Sequence, residues 1–427
     1  MDEKKNNIED LFALRGAYST SFYSIYLNGT YNPDILQMTR KDQGTLLHEY
    51  IHFIQNVSTV WGMYFSMYRY NVMYQTLHTL TVQQKITRPI DIVLSAQTKA
   101  TYNKLNLTFG TRTLKNKNAK IDWSVPVIME IKDEKCEGRI YEIPIMTVTL
   151  DNGEKEDIEI GGLIVMETMS ALYQSLIDPT ASHPDVPYNI IVKYCQQYYP
   201  KLATDTRKMI CICYASLFTL VPGTQLIDLI KQHGNDELDG YEIFQRFVKN
   251  YTVKTKEGKT SNLVDFVDGM IAGFKKNLGT ILHSKLDYLE HIFEPLKLSS
   301  QWVPVMTALY DEKPFSVEHF KIIIEQIGMP YLYTSNHQYS FPNGIGKDNA
   351  SSDLIELLGL QTVYSYFINP KGKECKCQLA YMCQGGLYNE YRCKNEPWSS
   401  EVQCPFSEVA SWFDLEKKTI KNVTNIR

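Results

Sequence analysis

The first long apolar run of the chain begins at Gly44-Thr45 and passes through Leu46, Leu47, Ile51, Phe53 and Ile54. Gln55-Asn56 make a short polar break, after which the apolar pattern resumes at Val57 and continues toward Tyr70. A helix that is apolar around most of its circumference belongs at the centre of a protein rather than on its surface. From about residue 119 to residue 160 the texture changes to short runs rich in Val, Ile, Tyr and Thr, namely Val125 to Ile131, Arg139 to Leu150 and Asp157 to Ile160. Asp151-Asn152-Gly153 is a tight-turn signal between the last two, so the segment predicts a small antiparallel sheet. Gly161-Gly162 closes it, and Leu163 to Leu176 predicts a second apolar helix.

Beyond Pro184 the pattern is mostly helical. It predicts helices over Tyr188 to Tyr199, Asp205 to Val221, Tyr241 to Asn250, Val317 to Ile327 and Asp353 to Phe367. Leu263 to Glu294 is also helical in pattern, with Gly279 as a point of division and Pro295 as its end. Met209 to Ile227 holds no charged residue and approaches a membrane-spanning length. Pro222-Gly223 inside it and Asp228 directly behind it favour a buried helix ending at Val221. The fold class expected is therefore α+β and mainly helical.

Composition narrows the function classes. The chain has 427 residues, 44% hydrophobic and 22% charged, which excludes a disordered chain, a collagen-like repeat and a coiled-coil rod. Lys and Arg total 44 against 48 Asp and Glu, so there is no basic excess to serve as an electrostatic footprint for nucleic acid. The polar start, Met1 to Asn7, carries no apolar signal region. Nine Cys are an odd count, which favours reduced thiols or metal ligands in a cytoplasmic setting. The expectation is a cytoplasmic protein with no membrane and no nucleic-acid partner.

His48-Glu49-Tyr50-Ile51-His52 fits H-E-x-x-H. On a helix, residues four apart lie one turn apart on one face, so both imidazoles can reach a single ion. Zinc takes imidazole nitrogen at about 2.0–2.1 Å and, in a catalytic site, three protein ligands plus water. The Glu beside the first ligand can take that water's proton as general base. Two His and a Glu set in an apolar helix with no partner would be costly, and a metal would satisfy them.

A third ligand at the spacing H-E-x-x-H-x-x-G-x-x-H is excluded, because Gln55 and Ser58 stand where Gly and His are needed. Glu167 is the best candidate, being the one charged residue between Gly161 and Asp178 on an apolar helix. Ser170 and Ala171, three and four residues on, are small enough to let that helix approach the first closely. His78 is a rival ligand.

With these residues in place, the stretch from about residue 40 to 175 resembles the gluzincin class of zincin metallopeptidases. The resemblance implies His48, His52 and Glu167 as zinc ligands and Glu49 as general base, although the segment between His52 and Glu167 is long for the class. It also implies that a strand between Val125 and Ile160 binds substrate backbone by strand addition. Such sites use a Tyr or His to stabilise the oxyanion, and Tyr188 and His183 are the candidates. Cys375, Cys377, Cys383, Cys393 and Cys404 open with C-x-C, which suits a second, structural zinc, though the remaining spacings match no zinc-ribbon pattern, and free buried thiols or disulfides are the alternatives.

The expected organisation is a zincin-like metal-binding core over 1–175, a helical domain over 176–330 and a Cys-containing region over 331–427. The expected activity is that of a zinc metallopeptidase acting on a protein or peptide substrate. A non-enzymatic interaction protein that keeps a zincin-like core, and a zinc hydrolase of a non-peptide amide, are the alternatives.

Overall fold

The central helix starts one turn earlier than the apolar pattern implies, because Thr39 caps it. This is seen in a computed structural model, which describes residues 16–19, 24–90, 94–114, 121–123, 127–133, 139–150, 153–254, 258–282, 296, 308–310, 313–336, 338–340, 350–368 and 404–422. Strands β1 (Gly16–Ser19) and β2 (Ser24–Leu27) come first. Thr39 Oγ1 then accepts the Asp42 N–H at 3.2 Å and opens α1, Arg40–Ser58. Every residue of α1 from Gln43 to Ser58 is buried, which makes it the core helix that its apolar run predicts.

Gln55 and Asn56 do not break α1. The break falls at Thr59, whose Oγ1 accepts the Gly62 N–H at 3.1 Å and so caps α2, Val60–Val82. A glycine is needed at position 62, since a Cβ there would lie 2.6 Å from the Asn56 Cα. The polar pair that interrupts the apolar pattern stays inside α1, where Gln55 Nε2 donates to the distant Met166 carbonyl and Asn56 Nδ2 to the His52 carbonyl. The single helix expected to run on toward Tyr70 is divided at Thr59 instead.

Strand β3 (Lys85–Arg88) and α3 (Ala96–Phe109) follow. The β-rich segment then forms β4 (Ile121–Trp123), β5 (Val127–Asp133), β6 (Arg139–Leu150) and β7 (Lys155–Glu159). Strand β6 pairs antiparallel with each of the other three, in the registers Ile121↔Leu150, Met129↔Ile143 and Thr147↔Asp157. Helix α4, Gly162–Ile177, leaves this sheet directly and lies against α1.

After a wide turn at Asp185–Asn189 come α5 (Ile190–Tyr198), α6 (Pro200–Thr204), α7 (Thr206–Ser216), α8 (Pro222–His233) and α9 (Gly240–Asn250). The expected helix from Asp205 to Val221 therefore stops five residues early. Pro222 opens α8 instead of ending its predecessor, a first-turn position where its missing N–H costs nothing. Strands β8 (Thr252–Lys254) and β9 (Thr260–Asn262) form a hairpin before α10, Leu263–Leu282, which runs unbroken through Gly279.

The chain continues with α11 (Val317–Ile327), β10 (Tyr331–Thr334), β11 (Tyr339–Ser340), α12 (Ala350–Ile368), α13 (Pro405–Ser411) and β12 (Thr419–Asn422). Two parallel pairings tie late strands to early ones, β10 to β2 and β12 to β3. The architecture is thus α+β and mainly helical, with small sheets. Among the described residues no helix is long and apolar enough to cross a membrane.

Candidate metal centre

Helices α1 and α4 run antiparallel, as their facing residues show. Gly44 of α1 lies against Gln174 and Asp178 near the end of α4, His52 faces Glu167 and Ser170, and Gln55 reaches Met166. The approach is close enough that a Cβ on Gly44 would sit 2.8 Å from the Asp178 Cβ. Neither contact is the far end of a flexible side chain, so a larger residue must push the helices apart. Gly44→Val is expected to cost about 1–3 kcal/mol, in the range of overpacked cores. Because position 44 is one turn from His48, the same variant should bind metal more weakly. Chemical denaturation together with metal titration checks both effects.

The i, i+4 spacing brings the His48 and His52 rings together edge to face, with centroids 4.9 Å apart. Their Nε2 atoms are 3.2 Å from each other, and each is 3.3 Å from Glu167 Oε2. Three donor atoms from two helices therefore form a nearly equilateral triangle, and all three residues are buried. Two imidazole nitrogens that close cannot both present lone pairs unless a proton or a cation lies between them. His48, His52 and Glu167 are the one group among the described residues whose ligand atoms converge within metal-binding distance. His48 Nδ1 has no hydrogen-bond partner among the described residues.

Without a metal, a proton takes the cation's place. Burial disfavours a charged His52, but the Glu167 carboxylate facing it, with help from Glu49 and the Gln55 amide, outweighs that and pushes His52 up to about 9. Burial likewise works against an ionised Glu167, yet the His52 and His48 rings hold it down to about 2. In metal-free protein the His52 contribution is complete below its ordinary 6.5 and is lost as pH rises through about 9. The Glu167 contribution is complete above 4.5 and is lost as pH falls through about 2. A metal must displace the His52 proton. Below about pH 9, metal uptake should therefore release a proton and apparent affinity should climb with pH. Calorimetry in buffers of different ionisation enthalpy measures that release. Uptake without it, and with affinity flat from neutral pH to about 9, would count against this electrostatic picture.

The remaining sequence candidates divide. Glu49 is buried on α1, and its charge bears on both His52 and Tyr188. His183 stacks on His48 at 5.6 Å between ring centroids and on Tyr188 at 4.7 Å, so the loop after α4 brings both rings to the cluster. His183 Nε2 lies 2.9 Å from Gln174 Oε1, and Asn189 Nδ2 donates to the His183 carbonyl. The negative charge of Glu167, then burial, then Glu49, drives the Tyr188 hydroxyl far above its ordinary range, so it stays protonated.

His78 is not a ligand of this cluster; it is exposed on α2 beside Tyr74. Cys404 starts α13, where its Sγ accepts the Ser407 N–H at 3.4 Å, and the other four members of the Cys group that suits a second zinc or free thiols, Cys375, Cys377, Cys383 and Cys393, lie outside the described residues. Gln55 and Gln174 were missed as site residues. The signal for them was spacing, since Gln55 is one turn beyond His52 and Gln174 two turns beyond Glu167, on the same helix faces.

In comparisons with known proteins no family model, no curated protein and no solved structure matches the chain.

Proposed function

We propose that the protein is a zinc-dependent metallopeptidase of gluzincin type, with His48, His52 and Glu167 as the metal ligands. The observation that carries this reading is the triangle of donor atoms, with sides of 3.2, 3.3 and 3.3 Å. A tetrahedral ion with bonds of about 2.0–2.1 Å has ligand atoms about 3.3–3.4 Å apart, so the spacing fits zinc without rearrangement. Two imidazoles and one carboxylate are also the donor set of a catalytic rather than a structural zinc site. When bound, zinc would supply an acidified water and a Lewis-acid contact for a carbonyl oxygen.

The chain's own groups account for the rest of the reaction. Glu49 takes the proton of the attacking water and passes it to the leaving amine, so that the nitrogen departs neutral. Tyr188, kept protonated by the carboxylates around it, donates its hydroxyl to the oxyanion. His183 stacks on both His48 and Tyr188, which are also in contact at 5.9 Å between centroids, and fixes the phenol's position. His183 and Tyr188 are only half-buried, whereas the ligands are deeply buried, so substrate approaches over this pair.

The deep burial of His48, His52 and Glu167 also favours the second reading, hydrolysis of a small amide that fits a recess. Digestion of a peptide library, run beside a panel of small amides, separates the two. Peptide cleavage that is lost on chelation and restored by zinc supports the peptidase. Turnover of small amides alone supports the other enzyme. Bound zinc with no turnover of either leaves a non-enzymatic metal protein.

A further inference from the structure

Gln55 interrupts the apolar run of α1, and its side chain is fully buried. Its two ends are not interchangeable. The Nε2 end donates to the Met166 carbonyl at 3.0 Å, and a carbonyl can only accept. The Oε1 end is thereby turned to His52 Nδ1 at 2.9 Å, where an acceptor requires Nδ1 to carry the hydrogen. Ser170 Oγ, 3.3 Å from the same nitrogen, adds a second contact from α4. Met166 immediately precedes Glu167, so one amide ties His52 to the backbone that carries the opposing carboxylate.

We propose that Gln55 is a positioning residue of the metal centre, which holds His52 with Nδ1 protonated and Nε2 presented to the ion. The proposal rests on the metal-site reading above. Groups that accept from the far nitrogen of a ligating His orient the ring and raise its basicity. Here the acceptor is a neutral amide whose orientation is fixed by a main-chain carbonyl. His48 Nδ1 has no such partner among the described residues, so the two imidazoles are held differently and His52 is the preset one.

The test is zinc affinity, measured by competition with a chromophoric chelator, for the full-length wild type, Gln55→Ala and Gln55→Glu. Removing such a partner should weaken zinc binding about 10–100-fold in Gln55→Ala. In Gln55→Glu the acceptor for Nδ1–H returns as a stronger one while the donor to Met166 is lost, so affinity should recover to the wild-type level or above. A side chain that merely staples α1 to α4 gives the opposite order, because a carboxylate cannot donate to the Met166 carbonyl. Gln55→Glu binding as weakly as Gln55→Ala, or more weakly, therefore overturns the proposal.

Nitrogen NMR of histidine-labelled, zinc-loaded wild type reads the same point without any variant. A proton on His52 Nδ1 with Nε2 ligated supports it, and the reverse arrangement overturns it. If the wild type takes up no zinc at all, the metal reading itself fails. The metal-free spectrum still reports on Gln55: a His52 Nδ1 proton that exchanges slowly in wild type and quickly in Gln55→Ala retains the orienting contact, and one that exchanges equally in both removes it.

Discussion

Glu49→Gln is expected to keep zinc and the fold while hydrolysis falls by about 10²–10⁴-fold, the usual contribution of a positioned general base. The substitution preserves size and one acceptor oxygen, but an amide cannot take a proton from water at working pH. Removing a buried carboxylate also changes the field at His52 and Tyr188, both of which respond to the Glu49 charge. Zinc content and the denaturation midpoint must therefore be measured beside the rate. Zinc retained near one per chain, with the rate lost, assigns Glu49 to proton transfer. A variant that turns over like wild type assigns the base elsewhere and removes the mechanism proposed above.

Loss of Glu167 should have the largest effect on the protein as a whole. Glu167→Ala takes the only carboxylate from the triangle and leaves two imidazole nitrogens 3.2 Å apart with nothing opposite them. Zinc should fall from stoichiometric to near zero and activity should disappear with it. Stability should follow, because a ligand that binds only the folded state, present at about 1,000 times its dissociation constant, stabilises by about 4 kcal/mol. Glu167→Gln keeps the shape without the charge and should retain some zinc at best. In the metal-free variants His52 also loses the carboxylate that outweighs its burial, so its affinity for a proton should drop toward or below the ordinary value. Stoichiometric zinc in Glu167→Ala would place the third ligand elsewhere and end the gluzincin reading.

The parts of the site that were legible in the sequence are those fixed by local periodicity. His48 and His52 share a helix face because four residues make about one turn, whatever surrounds them. Glu167 stood out as one carboxylate on an otherwise apolar helix, a placement that requires a cation or a hydrogen-bond partner. The antiparallel sheet followed from β-branched runs and the turn at Gly153, which adopts a φ of 82°. The same method failed at Thr59, where one expected helix is divided in two. It also read Gln55-Asn56 only as an interruption, because polar residues in an apolar run show no purpose until their partners are seen, here His52 one turn away and a carbonyl on another helix. It failed again at Pro222, which reads as a helix stop but serves as a helix start.

The sequence by itself determined the spacing of the two imidazoles, the apolar character of both core helices and the isolation of Glu167 as the one charge on the second, because each depends only on neighbours within a turn or two. Tertiary structure alone decided that α4 lies antiparallel on α1 at a distance that puts Glu167 Oε2 3.3 Å from both imidazoles. It also decided that His78 faces outward, that His183 stacks on His48, and that β10 pairs with β2 across some three hundred residues of chain. Those contacts join segments whose meeting is set by the sum of core packing, through small residues such as Gly44 and Ser170 that permit the approach, and no local pattern records which distant face will be the partner.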